Sequence, residues 1–124
     1  MTPVISIALG GALGAVLRYL VGLAVAFPLG TLAVNVIGSF AIGLVWVVFA
    51  ARGLQHWLPF VMTGLLGGFT TFSAFSLDTL RLVEAGRMGA AGGYILGSVV
   101  LSLLACALGL WLARGMATCC LLYT

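Results

Sequence analysis

Charge is nearly missing from this chain. Its 124 residues include five arginines, no lysine and two acids, Asp78 and Glu84, so only 6% are charged. A soluble domain carries about 25% charged residues. Here 64% of the residues are hydrophobic and the mean hydropathy is +1.33. No soluble fold hides that much apolar surface at this length, so an integral membrane protein is expected. Five arginines are too few to build a nucleic-acid surface. Histidine occurs once, at His56, and cysteine three times, at Cys106, Cys119 and Cys120. That odd number lacks metal-ligand spacing, and no nucleophile–base set is present, so an enzyme is not expected. A signal peptide is not expected either. The N-terminus has no basic region, and its apolar run outlasts a signal sequence.

Proline is scarce, and its three copies, Pro3, Pro28 and Pro59, mark the ends of apolar runs. A bilayer-spanning helix needs about 20 mostly apolar residues. Four such runs are present, at about 3–27, 31–51, 58–83 and 89–113. Thr2 can cap the first and Pro3 suits its first turn, while Pro28 and Gly30 end it. Connections are short and no sequence repeat is visible. The fold class is therefore all-α, one domain of four transmembrane helices covering residues 1–124. Glycine is abundant, with 18 copies. Gly10/Gly14 and Gly93/Gly97 have the spacing that lets helix backbones approach closely.

Orientation signals balance. Four spans put Arg52 and Arg114 on one side and Arg81 and Arg87 on the other. An excess of Lys and Arg in cytoplasmic loops normally fixes orientation. Its absence predicts a chain that inserts both ways and pairs as an antiparallel homodimer. Such a dimer reproduces the inverted symmetry that transporters use to build a site at the midplane.

Polar residues inside the spans fall in patterns. Thr31, Asn35 and Ser39 are spaced i, i+4, i+8 on the second span, and Tyr94, Ser98 and Ser102 repeat that spacing on the fourth. Each set occupies one helix face. Helix–helix hydrogen bonding accounts for any single one of these residues. Two stripes together suggest a polar path. The third span holds "GGFTTFSAFS" (Gly67–Ser76), with two glycines, four hydroxyls and three phenylalanines. Glycine and threonine can break a membrane helix there, and irregular backbone survives only if buried or lining a cavity. Unwound carbonyls can coordinate a cation such as Na⁺.

A proton-coupled exporter needs a carboxylate or histidine at membrane depth. The first, second and fourth spans have none. Asp78 and Glu84 fall toward the end of the third, where pairing with Arg81 or Arg87 is the expected role. The interior donors are hydroxyls, one amide and one cation, Arg18, a set suited to a small anion. Phe72 and Phe75, at i, i+3, could add positive ring edges. On spacing alone, packing or lipid contact is the plainer reading of both rings.

Three segments carry a family resemblance. "GGALGAVLRY" (Gly10–Tyr19), "GTLAVNVIGSF" (Gly30–Phe40) and "GLLGGFTTFSAF" (Gly64–Phe75) resemble, in order, the signature segments of the Fluc/CrcB fluoride channels. The resemblance covers essentially the whole chain. It implies a multi-pass protein of the bacterial inner membrane, a dual-topology homodimer with two antiparallel pores that exports fluoride passively and protects the cell from it. It implies that Asn35, Phe72, Phe75, Tyr94, Ser98 and Ser102 line the fluoride pore, with Thr31 near a pore mouth. Arg18 is implied at an aqueous vestibule. A structural Na⁺ at the dimer centre is implied on backbone carbonyls of Gly67 and Thr70 from both copies. Ala74 stands where the family often has threonine, which removes one hydroxyl. The tail Met116–Thr124 has no evident place in the bundle.

Overall fold

The computed structural model describes residues 2–123, with side chains through Met116. Helix α1 runs Pro3–Ala24. The Thr2 hydroxyl accepts the amide of Ile5 at 3.4 Å and Pro3 occupies the first turn, as the capping pattern predicts. The helix stops three residues short of the expected Phe27, because Val25 is already extended (φ −118°, ψ 125°) on the approach to Pro28. Proline disfavours helical geometry in the residue before it, here Phe27, so the helix does not run on through that residue. Helix α2 spans Leu29–Ala51, starting two residues before the expected Thr31. Gly53, at φ 66°, makes the turn that follows, a conformation that glycine adopts without strain.

The third span is not one uniform helix. A 3-10 turn at Gln55–Trp57 leads into a π-wound stretch, Pro59–Leu66. One α-helical turn follows, α3 (Gly67–Phe69). Thr70 (φ −88°, ψ 156°) and Thr71 (φ −154°, ψ 119°) are extended, and α4 (Phe72–Glu84) begins after them. The glycines therefore keep helical geometry and the two threonines leave it. Gly86, at φ 77°, turns the chain into α5, Met88–Tyr123. This last helix continues past the expected end at Ala113. The stretch beyond Arg114 holds no proline and one glycine, Gly115. One glycine costs a helix about 1 kcal/mol, too little to end it. The side chains of Cys119 and Cys120 lie outside the described residues.

Helix α2 packs on α5, and α1 packs on the π-wound stretch and α3. Small residues make both contacts possible. A Cβ on Gly43 of α2 would lie 2.5 Å from the Cys106 carbonyl oxygen, and one on Gly68 would lie 2.6 Å from that of Gly11. Gly10 and Gly14 also meet backbone of the third span, as their spacing predicts. Gly93 and Gly97 differ: nothing lies within 4 Å of a Cβ added to either. Among the described residues, their spacing packs no helix.

The core is thin. Leu82, Ala91 and Tyr94 form its one buried cluster among the described residues, flanked by Leu32, Phe75 and Ala90. In none of the four spans is more than 17% of the most apolar stretch buried. All four are long and apolar enough to cross a membrane. Apolar side chains such as Leu23, Leu96 and Trp111 point outward along their lengths. In water this surface would be a severe liability.

Candidate functional site

The two threonines and their neighbours anchor the site. In an α-helix each amide bonds the carbonyl four residues back. The Thr71 amide instead donates to Asn35 Oδ1 at 2.8 Å, and Asn35 Nδ2 donates to the Thr71 carbonyl at 3.0 Å. One carboxamide thus satisfies both backbone groups of an extended residue, 36 positions away in sequence. The Thr71 hydroxyl caps α4 by accepting the Ala74 amide at 3.1 Å. The Thr70 hydroxyl donates to the Leu66 carbonyl at 3.0 Å. Arg18 joins from α1, its Nε donating to the Gly68 carbonyl at 3.1 Å. Side chains from α1 and α2 therefore supply what the backbone forgoes here, as buried polar groups require.

Beside this junction lies an open groove of about 390 Å³ between α2, the third span and α5. It brings together Asn35, Phe72, Phe75, Ser98 and Ser102, and it also reaches Gly67 and Thr70. Ser39, the third member of the α2 stripe, lies on its wall. Neither carboxylate nor histidine nor arginine lines it. The hydroxyls of Ser98 and Ser102 are buried and have no hydrogen-bond partner among the described residues. An unmet buried hydroxyl costs free energy, so these two are notable. Phe72 and Phe75 pack with ring centroids 5.5 Å apart, and Phe75 packs on Tyr94 at 5.4 Å.

Thr31 and Tyr94 do not line the groove. They meet at its Phe75 end, around Asp78. The Thr31 hydroxyl donates to Asp78 Oδ2 at 2.7 Å, and the Tyr94 hydroxyl reaches the same oxygen at 3.4 Å. Arg81 comes within 3.8 Å of Oδ1 and stacks over Phe27, 4.2 Å from the ring centroid. The i, i+3 pairing of Asp78 and Arg81 is present as expected, but it is long and Arg81 is exposed. Asp78 itself is only 7% exposed. It is a buried carboxylate held mainly by hydroxyls from α2 and α5, a role that helix spacing alone could not reveal. The signal in the sequence was indirect, namely the hydroxyls that begin the two stripes, Thr31 and Tyr94.

A second cavity, about 350 Å³, opens on the other side of Thr71. Arg18, Thr31, Thr71 and Ala74 border it. Thr71 therefore stands between the cavity that holds Arg18 and the groove that holds the phenylalanines. No group of three or more His, Cys, Asp or Glu side chains is placed to hold a metal among the described residues.

Comparison with known proteins agrees with the sequence motifs. Residues 5–110 match the family model described as "CrcB-like protein, Camphor Resistance (CrcB)". A fluoride-specific ion channel FluC from Paracoccus denitrificans is 55% identical over 117 residues, which cover 90% of this chain and 94% of that protein. One from a Ruegeria species is 52% identical over 125 residues, covering 95% and 99%. One from Agrobacterium fabrum is 48% identical over 125 residues, covering 94% and 99%. A model matched over most of the chain and relatives of equal length at this identity leave one assignment: this multi-pass membrane protein is a member of the CrcB family.

Proposed function

We propose that the chain is a fluoride-selective channel that lets fluoride leave the cell passively. The observation that carries this reading is the groove. It offers two buried hydroxyls without partners, Ser98 and Ser102, in a wall without carboxylates. Hydroxyl hydrogens attract an anion and place no fixed negative charge in its way. Asn35 spends one N–H on Thr71 and keeps its second for the groove. Phe72 and Phe75 add ring edges, the positive rim of the aromatic quadrupole. A strongly hydrated small anion exchanges water for these donors one group at a time, from Arg18 past Thr71 and the rings to the α5 serines. Thr31, Tyr94 and Arg81 occupy the Asp78 carboxylate at the Phe75 end of the groove, so its charge is met before an ion arrives.

One chain leaves the groove open. Phe72 is 78% exposed although it borders the groove, and a second copy is the natural cover. An antiparallel homodimer gives two such paths, one in each direction, and matches the balance of arginines between the two sides. The relatives are bacterial proteins, which favours the inner membrane as its location.

The same reading includes a structural Na⁺ between the copies. The donor set fits. The amides that a continuous helix would give to the Gly67 and Thr70 carbonyls are those of Thr71 and Ala74, and both bond elsewhere. Two hard oxygens per chain are thereby left for a cation, and Na⁺ bound there would tie the two copies together.

Fluoride efflux from liposomes that hold the purified protein, followed with a fluoride electrode, tests the function. Rapid fluoride loss with negligible chloride loss is expected. Equal chloride flux, or none of either, would sink the proposal. Phe72→Ile and Phe75→Ile are each expected to cut fluoride flux at least tenfold while the dimer persists on size-exclusion chromatography.

A further inference from the structure

We infer that Asn35 and Thr71 are the positioning residues of the cation site, acting by diverting one amide each from the two carbonyls that face the ion. The inference rests on the reading of Gly67 and Thr70 as cation ligands. In a continuous helix the Gly67 carbonyl receives the amide of Thr71, and the Thr70 carbonyl receives that of Ala74. Asn35 Oδ1 takes the first amide at 2.8 Å. The Thr71 hydroxyl takes the second at 3.1 Å. No other competitor for either amide is recorded among the described residues. Two side chains thus remove two donors, and the carbonyls released are the two assigned to the ion.

The alternatives for this backbone are limited. Without Asn35, the partly buried Thr71 amide and carbonyl lose their partner beside α2, and the nearest remedy is to rejoin the helix and bond Gly67. Without the Thr71 hydroxyl, the Ala74 amide loses its cap, and the first turn of α4 can wind back toward Thr70. Either change closes one carbonyl against the cation. Asn35 also borders the groove, so one side chain serves the anion path and the cation site together. Loss of flux in an Asn35 variant therefore says nothing by itself about which role failed. Stability in Na⁺ separates them.

The test uses full-length dimer in detergent at constant ionic strength. Its thermal midpoint is titrated with NaCl in exchange for N-methyl-D-glucamine chloride. The wild-type midpoint is expected to rise with Na⁺. Asn35→Ala and Thr71→Val should each need at least tenfold more Na⁺ for half of that rise. Thr71→Ser keeps the cap, so it should stay within threefold of wild type. Ser76→Ala, which removes a hydroxyl bonded to the Phe72 carbonyl on the exposed side of α4, should match wild type. A wild-type midpoint indifferent to Na⁺ would overturn both the cation site and this inference. A normal wild-type response with unchanged half-points in Asn35→Ala and Thr71→Val would overturn the inference alone, and a shift in only one of them would overturn the pairing. If Asn35→Ala does not assemble, the Thr71→Val and Thr71→Ser pair decides by the same criterion.

Discussion

The polar stripes on α2 and α5 share one spacing and meet opposite fates. On α2, Thr31 bonds Asp78 and Asn35 bonds both backbone groups of Thr71. On α5, Tyr94 reaches Asp78, but Ser98 and Ser102 have no partner among the described residues. Periodicity of 3.6 residues puts three side chains on one face of each helix and stops there. What they do depends on what the facing segment offers. The extended threonines and the buried carboxylate give α2 something to hold. The groove gives the α5 serines no partner among the described residues. One stripe braces the third span, and the other keeps two hydroxyls that, on the proposed reading, serve the anion.

The largest way to break this contrast is Asn35→Ala. It strands an amide and a carbonyl, each worth about 1–3 kcal/mol when buried without a partner. The protein should lose roughly 2–5 kcal/mol, seen as a lower denaturation midpoint. Thr31→Val is next. It removes a 2.7 Å bond to a buried carboxylate with little change of shape. A loss of about 1–2 kcal/mol is expected in the same assay. Ser98→Ala and Ser102→Ala should be the mildest. Their hydroxyls bond nothing here, so stability should stay within about 0.5 kcal/mol of wild type. Fluoride efflux should nevertheless fall severalfold in both. If the serine variants lost stability without losing flux, α5 would be a brace like α2 and the contrast would be false.

The four spans were legible because lipid demands long apolar helices, and little else satisfies a backbone in hydrocarbon. The caps at Thr2 and Pro3 were legible for local reasons. So was the small-residue contact of Gly10 and Gly14, though Gly93 and Gly97, with identical spacing, pack on no helix among the described residues. Spacing announces that a close approach is allowed and leaves the partner unnamed. The π-wound stretch Pro59–Leu66, which packs along α1, had no local signal. Tyr94, Ser98 and Ser102 read as one track, yet Tyr94 belongs to the Asp78 cluster and the serines to the groove. The decisive contacts, Asn35 with Thr71 and Thr31 with Asp78, span 36 and 47 residues. No local rule reaches that far.

The bond from Arg18 to Gly68 has a kinetic meaning. With Nε held by a carbonyl at 3.1 Å, the guanidinium is moored to the third span and cannot travel with a passing ion. On the proposed reading it would act as a lens, its field enriching fluoride at the entrance without retaining it. A lens of this kind dims with inert electrolyte, because the screening length shrinks to about 8 Å at 0.15 M salt. Wild-type conduction at low fluoride should therefore decline as an impermeant salt is added. In Arg18→Gln conduction should start lower and stay flat across the same series.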